Sequence, residues 1–335
     1  MSELRKSGID VPVAMIFFNR PDQLKKVFEC VKKAAPSVLF LIQDGARDSK
    51  PSDAEKILKC REVVKDIDWE CDVYTDYSEK NLGCGERISS GITEAFRKVD
   101  RLIILEDDCV PSDSFFPFCK EMLEKYKADE RIYMITGMNH LNGYNETDSD
   151  YFFAKVGSIA GWATWKRFWD KVDFKMKNVE NKETLRLIKL CSQNNYLFGN
   201  RYENALSKKK QLDNGEKLSS WSTQVGLEAM LNSQFVIVPK VNLMTNIGLT
   251  GESANSVDSI KKVPHGLRPL YNLKLSELDF PLKHPEYVCE EYDYEKRVMR
   301  LMKPPKPIAR WRKIESVILR SLHGDFSFVK KIKKR

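Results

Sequence analysis

Val11-Pro12-Val13-Ala14-Met15-Ile16-Phe17-Phe18, followed at once by Asn19-Arg20-Pro21-Asp22, is the stretch that decides the fold. An unbroken apolar run of this length suits a strand covered on both faces, as in a parallel sheet. Pro21 and Asp22 then stand where a helix favours proline and an acid in its first turn. Leu24, Val27, Phe28 and Val31 recur at i, i+3, i+4 and i+7, the stripe of an amphipathic helix. The unit is a strand feeding a crossover helix.

The same alternation runs through the first 140 residues. Residues 37–43 read as a second strand ended by the turn Asp44-Gly45, and a short helical pattern follows around Ile57, Leu58, Val63 and Val64. Val73-Tyr74 marks a brief third strand. Asn81-Leu82-Gly83-Cys84-Gly85 then leads into a helix with Ile88, Ile92, Ala95, Phe96 and Val99 on one face. Residues 101–105 form a strand that runs directly into Glu106-Asp107-Asp108. Asp113 is placed to cap a helix with Phe116, Cys119, Met122, Leu123 and Tyr126 on its apolar side, and 132–136 is another strand. Strands alternating with helices predict an α/β fold with a mostly parallel, Rossmann-like sheet flanked by helices.

Beyond residue 140 the pattern loosens. Residues 151–156 read as a strand, Gly161-Trp162-Ala163-Thr164-Trp165 as the opening of a short helix, 182–210 as mostly helical and polar, 221–231 as a helix and 235–238 as a strand. Residues 242–256 read as a Gly/Asn/Ser/Thr-rich loop. The Pro-rich chain after Pro264 reads as an extended wrap, and no internal repeat is visible. The expected organisation is one domain over 1–290, with a nucleotide-binding half at about 10–140 and an acceptor half at about 141–290, and a basic helical and extended extension over 291–335.

Composition narrows the class. Of 335 residues 42% are hydrophobic and 31% charged, with 16 Gly and 14 Pro, ordinary values for a globular enzyme. The first apolar run falls far short of the about 20 residues a membrane span needs, and no signal peptide pattern precedes it. The formal net charge of +8 is local: residues 303–335 hold eleven Lys/Arg against two Asp/Glu, a surplus of nine that leaves 1–302 at −1. A neutral body with a basic end is not a nucleic-acid coat, so no nucleic acid is expected as partner. The eight cysteines (30, 60, 71, 84, 109, 119, 191 and 289) form no CxxC pair, which argues against a disulfide framework or structural zinc and for the reducing cytoplasm.

Ile103-Ile104-Leu105-Glu106-Asp107-Asp108 is the sharpest chemical signal. Residues just past the C-terminal end of a parallel strand face the ligand crevice. Three successive carboxylates repel one another unless a cation or ligand dipole neutralises them. A hard divalent ion could bridge one of them to a diphosphate; the plain alternative is an acidic surface turn. Asn19-Arg20 and Asp44-Gly45 end the other strands, so a parallel sheet would line them along the same rim. There Asp44 could accept from a base N–H, Arg20 could donate, and Arg87 at a helix start could reach phosphate. Each could equally cap a turn or sit in solvent. No GxxxxGK[ST], GxGxxG or GxSxG occurs, and the histidines at 140, 265, 284 and 323 are too scattered for a metal centre.

Together these elements resemble the GT-A fold glycosyltransferases, most nearly the N-acetylglucosaminyltransferase I type and its bacterial relatives in surface-polysaccharide clusters (glycosyltransferase family 2-like). The resemblance also takes in Tyr151-Phe152-Phe153 through Gly161-Trp162, Trp169, Ser220-Trp221-Ser222-Thr223-Gln224, Pro239, Asn242 and Asn246-Ile247-Gly248, and spans about residues 11–290. No one motif is specific; their order and spacing are. The resemblance implies that Arg20 and Asp44 hold the uracil end of a UDP-sugar, and that Glu106 and Asp107 lie near ribose and donor sugar. It implies further that Asp108 is the single protein ligand of Mn²⁺ (or Mg²⁺), that Gly161-Trp162 and Trp221 lie by the donor sugar, and that residues 248–256 order over the bound donor. Inversion at the anomeric carbon follows from the resemblance alone.

Two departures stand out. After the tryptophan matching Trp221 many relatives carry an aspartate as catalytic base, where this chain has Ser222 and Thr223. The mobile loop ends in Ala254-Asn255-Ser256 rather than with a histidine. The base must come from elsewhere, and Asp213, Glu216, Glu228 and Glu252 are the carboxylates in range. The expected activity is transfer of a sugar from a nucleotide-sugar donor to a glycan or lipid-linked glycan hydroxyl. A catalytically degenerate sugar-nucleotide binder and a sugar-phosphate nucleotidyltransferase are the alternatives. In the tail Trp311, Ile314, Val317, Ile318 and Leu322 recur at helical spacing among Arg310, Arg312, Lys313 and Arg320. That pattern suits either an anionic membrane surface at the inner face or a helix docked on the domain.

Overall fold

The computed structural model describes residues 4–194, 201–218, 220–249, 259–271 and 273–325. Strand β1 (Val13–Phe17) is buried along its whole length, and Pro21 opens helix α1 (Pro21–Ala34), whose buried side is Leu24, Val27, Phe28 and Val31. The chain then builds β2 (Val38–Gln43), α2 (Ser52–Val63), β3 (Asp72–Tyr77), α3 (Cys84–Ala95) and β4 (Arg101–Glu106). Strands β3, β2, β1 and β4 lie side by side in that order, all parallel. The chain steps outward from β1 through β2 to β3, then returns to lay β4 on β1's other side. That reversal is a topological switch point at the C-terminal ends of β1 and β4, the position where parallel sheets bind ligands.

The second half completes an eight-stranded sheet. After β5 (Cys109–Pro111) and α4 (Phe115–Lys125) come β6 (Ile132–Thr136), β7 (Tyr151–Ala154), β8 (Trp162–Trp165) and, further on, β9 (Phe235–Pro239). The order continues β4-β8-β6-β9-β7, with β8 and β7 antiparallel to the rest. The fold is mixed α/β, a large and mostly parallel sheet flanked by helices. Alternate residues of β1 feed two cores: Val13, Met15 and Phe17 meet α1 and α4, while Ala14 and Ile16 meet α3 and the Trp162, Trp169 and Trp221 cluster.

Several expectations need correction. Gly161-Trp162 opens a strand, not a helix: β8 is paired on both sides, Ile104 facing Trp162 on β4 and Met134 facing Thr164 on β6, and the Thr164 hydroxyl donates to the Tyr133 carbonyl at 2.6 Å. Only the four-residue turn α5 (Lys166–Trp169) is helical there. Asp113 does not cap α4. It pairs with Lys33, and Glu277 from the C-terminal wrap takes the free N–H groups of Asp113 and Ser114 at 3.2 and 2.7 Å. A carboxylate suits that positive helix end wherever in the chain it comes from.

Helices α6 (Lys182–Asn194), α7 (Arg201–Asp213) and α8 (Ser222–Leu231) share a small separate core of Met176, Val179, Ile188, Ala205, Leu227 and Met230. Residues 244–246, expected in a loop, form β10 (Met244–Asn246), antiparallel to β5. Among the described residues two 3-10 turns follow (Ile260–Lys262 and His265–Tyr271), 273–289 form no helix or strand, and Glu290 bridges to Phe153 before α9 (Tyr292–Met302) and α10 (Lys306–Leu322). No helix among the described residues is long and apolar enough to cross a membrane.

Candidate functional site

The register of β1 against β4 sets Ile16 beside Glu106, so the residues that follow each strand meet at the switch point. The Arg20 guanidinium, first past β1, forks over the acidic run. Its Nη2 and Nε take the two oxygens of Asp107, the latter at 3.3 Å, and its Nη1 takes Asp108 Oδ2 at 3.0 Å. The Phe18 N–H adds a longer bond to Asp107 at 3.4 Å. The neutralising partner that three successive carboxylates require is therefore within the chain. Burial works against the charged guanidinium, but Asp107 and Asp108 outweigh it and hold its pKa above the ordinary value.

The three carboxyls differ in environment. Desolvation lifts Asp107 to about 6 even against the pull of Arg20. Glu106 is lifted to about 8, by desolvation first and then by its acidic neighbours, and no donor among the described residues contacts it. Asp108 accepts from Asn246 Nδ2 at 3.1 Å, and its carbonyl takes the Ile247 N–H at 2.8 Å. A Cβ on Gly248 would stand 2.1 Å from Asp108 Oδ2, so only glycine lets β10's exit lie this close to the carboxylate.

Asp44 lies at the end of β2, buried, but its oxygens are already engaged. It accepts from the N–H groups of Gly45 (2.9 Å), Leu82 (2.8 Å) and Gly83 (2.9 Å) and from Asn81 Nδ2 (3.1 Å). A carboxylate has about four acceptor positions, so a base N–H would have to share an oxygen or displace a loop donor. Asp44 thus ties the Asn81-Leu82-Gly83 loop to the rim. Gly45 is needed for the same reason, since a Cβ there would meet the Lys80 carbonyl carbon at 2.5 Å.

Asn19 and Arg87 are turned to structural partners. Asn19 Nδ2 donates to buried Asp53 at 2.7 Å, and Arg47 chelates the same carboxylate at 2.6 and 2.8 Å, holding it down at about 2. Arg87, in the first turn of α3, is buried in an ion pair with Asp76 at 2.5 Å. The tryptophans correct another expectation. Trp162 is fully buried and stacks on Trp221 with ring centroids 5.5 Å apart, and Trp169 packs against both. As placed, Trp162 presents no ring face to a sugar and Trp221 almost none; the pair belongs to the core, with Gly161 at φ +69° packed on Met244.

The candidate bases scatter. Asp213 is ion-paired with Lys209, and Glu228 lines a small pocket between α6 and α8 with Gln224 and Met176. Glu216 lies on the α7–α8 link, where the Lys217 ammonium donates to the Asn81 carbonyl at 2.8 Å and Leu218 lies against Gly85. That link therefore crosses the loop held by Asp44. Glu252, Asn255 and all of the loop past residue 249 lie outside the described residues.

Cys84, not singled out from sequence, lies within the field of these charges. It is exposed, and its thiol is pushed up to about 11, by desolvation first and then by the charges of Glu106 and Asp44, with Asp107 adding to these and Arg20 opposing them. Four of the expected site residues therefore act on one atom. Asn246 and Gly248 were quoted as motif, but nothing local announced that they would touch Asp108.

Asp108 fits a hard divalent ion in donor chemistry and keeps an acceptor position free. Among the described residues no three His, Cys, Asp or Glu side chains converge into a closed cage. An ion held here would need further oxygens from a ligand, as phosphates provide.

No known protein-family profile matches the chain. Among solved structures, it is similar to a UDP-glucose pyrophosphorylase complexed with UDP-glucose, at 10% identity and a TM-score of 0.34, over 70% of this chain and 92% of that one. It is also similar to the 4-diphosphocytidyl-2C-methyl-D-erythritol synthase of Anaerococcus prevotii DSM 20548, at 10% identity and a TM-score of 0.29, over 48% of this chain and 74% of that one.

Proposed function

We propose that the crevice between β1 and β4 binds a nucleoside-diphosphate sugar, UDP-linked, and that the protein transfers the sugar to a glycan or lipid-linked glycan hydroxyl. The observation that carries the reading is the Arg20 fork over Asp107 and Asp108 beside Glu106, unpartnered among the described residues, at the sheet's switch point. A parallel sheet binds ligands at that position. The rim also supplies a guanidinium for the diphosphate and an acidic oxygen for Mn²⁺ or Mg²⁺.

Asp108 would hold the ion, which offsets charge on the departing diphosphate. Arg20 has donors that can turn from Asp107 to phosphate, releasing that carboxylate for ribose or sugar hydroxyls. In the transfer the acceptor oxygen bonds to the anomeric carbon, the bond to the diphosphate oxygen breaks with its electron pair, and the acceptor proton passes to a base. Glu216 has the best placement of the described candidates, since its link spans the Asp44 loop.

Nucleotidyl transfer from a nucleoside triphosphate to a sugar phosphate is the second reading, because the same rim would hold a metal-bound triphosphate. Incubation with a panel of UDP-sugars, acceptors and Mn²⁺, reading UDP release, tests the first. Labelled UTP with sugar 1-phosphates, reading pyrophosphate, tests the second. Binding with neither product would assign the chain to a non-catalytic sugar-nucleotide binder.

A further inference from the structure

Helix α10 is mounted with its polar side inward. It holds the body through Arg312, whose guanidinium donates to the carbonyls of Leu301 (2.5 Å) and Gly266 (3.0 Å), and through Glu315, which accepts the His265 N–H at 3.2 Å. None of its residues is buried. Trp311, Ile314, Ile318 and Leu322 fall within about an 80° arc at 3.6 residues per turn and face solvent, Trp311 at 59% and Leu322 at 74% exposure. A helix that served only to complete the domain would turn this stripe toward the core.

The exposed face carries one sign of charge. Arg310, Lys306 and Lys313 follow one another round the helix from the Ile314 edge of the stripe, and no carboxylate lies among the exposed residues from Lys306 to His323. Apolar area beside unopposed cations matches a surface that is apolar beneath and anionic on top. A second copy of the chain would set those cations against their own kind. At 17 residues with charges along it, α10 suits lying in the interface plane, with the Trp311 indole at headgroup depth.

We infer that α10 docks the protein on an anionic lipid bilayer, its Trp311–Ile314–Ile318–Leu322 stripe entering the headgroup region and Lys306, Arg310 and Lys313 facing lipid phosphates. This attachment is separate from the nucleotide crevice and does not depend on what binds there. The test is co-sedimentation of the full-length protein with vesicles of phosphatidylcholine alone or with one-third phosphatidylglycerol. Partition is at least about tenfold higher on the anionic vesicles at low salt and falls as salt rises. Arg310→Gln with Lys313→Gln weakens it about 25-fold, at about fivefold per cation. Trp311→Ser with Ile318→Ser weakens it about tenfold or more at either salt, while the circular dichroism spectrum and melting point stay as in the parent. Failure to bind anionic vesicles, equal partition on both compositions, or indifference to the Trp311/Ile318 pair would each overturn the assignment. A concentration-dependent dimer abolished by that pair would give the face to a second copy instead.

Discussion

Replacing Arg20 by methionine keeps most of the side chain's apolar volume and removes the one cation that, among the described residues, pairs with Asp107 and Asp108. Asp107 is 3% exposed and Arg20 17%, so the pair sits where water screens little. Removing one partner of a buried pair leaves an uncompensated charge and costs about 3–5 kcal/mol; the residual exposure of Arg20 puts the expectation near about 3 kcal/mol. Two of the three contacts made by the fork go to Asp107. Adding Asp107→Asn should therefore recover about 2 kcal/mol of the loss, a coupling within the range seen for contacting residues. Urea denaturation of parent, both single variants and the double variant at pH 7.5 measures this. A loss below about 1 kcal/mol for Arg20→Met would put the pair in the class of surface ion pairs. An additive double variant would show that Asp107 is not its partner, and either result would refute the electrostatic account of the rim.

Buried His140, packed under α9, is held down at about 4 by desolvation, and its backbone N–H donates to the Tyr294 hydroxyl. The unfolded chain takes up this proton near pH 6.5 and the folded one only near 4. The stabilisation, about 3 kcal/mol, is thus complete above pH 6.5 and drains away as pH falls toward 4; His140→Gln should flatten that slope in denaturation midpoints taken from pH 7 to 4.5. Gly248→Ala should weaken nucleotide binding at least about tenfold in titration calorimetry while leaving the melting point within a few degrees, because its Cβ strikes Asp108 Oδ2 and little else of the core. Exposed Cys84 should alkylate slowly at pH 7.5, its thiol being raised to about 11, and should become slower still with UDP and Mn²⁺ present; mass spectrometry following Cys84 against exposed Cys289 reads both effects.

Local pattern was enough for the first half of the fold. The 11–18 run, Pro21 and the i, i+3, i+4 stripe of α1 each have one physical reading, and the parallel order of β1 to β4 follows from their crossovers. The second half depended on long-range pairing. Trp162 to Trp165 reads as helix or strand in isolation, and only the waiting edges of β4 and β6 decide it. The same holds for β5 and β10, three residues each, which have no periodicity to read and exist by pairing with each other.

At the site, strand ends announced Arg20, Asp44 and Glu106 to Asp108 as one rim, and Cys84 registers the charges of Arg20, Asp44, Glu106 and Asp107. What each side chain holds was not legible. Asn19 and Arg87 turn to Asp53 and Asp76, 34 and 11 residues away, and Asp44 spends its acceptor positions on loop N–H groups. A polar residue at a strand end has the same appearance in sequence whether it serves the fold or a ligand.

Isothermal titration of UDP into the full-length protein, with and without Mn²⁺ and in parallel with Asp108→Asn, probes the rim most directly. Micromolar binding that needs the ion and is lost in Asp108→Asn is the predicted result. No heat of binding for any uridine nucleotide, or binding that is indifferent to both the ion and Asp108, would contradict it.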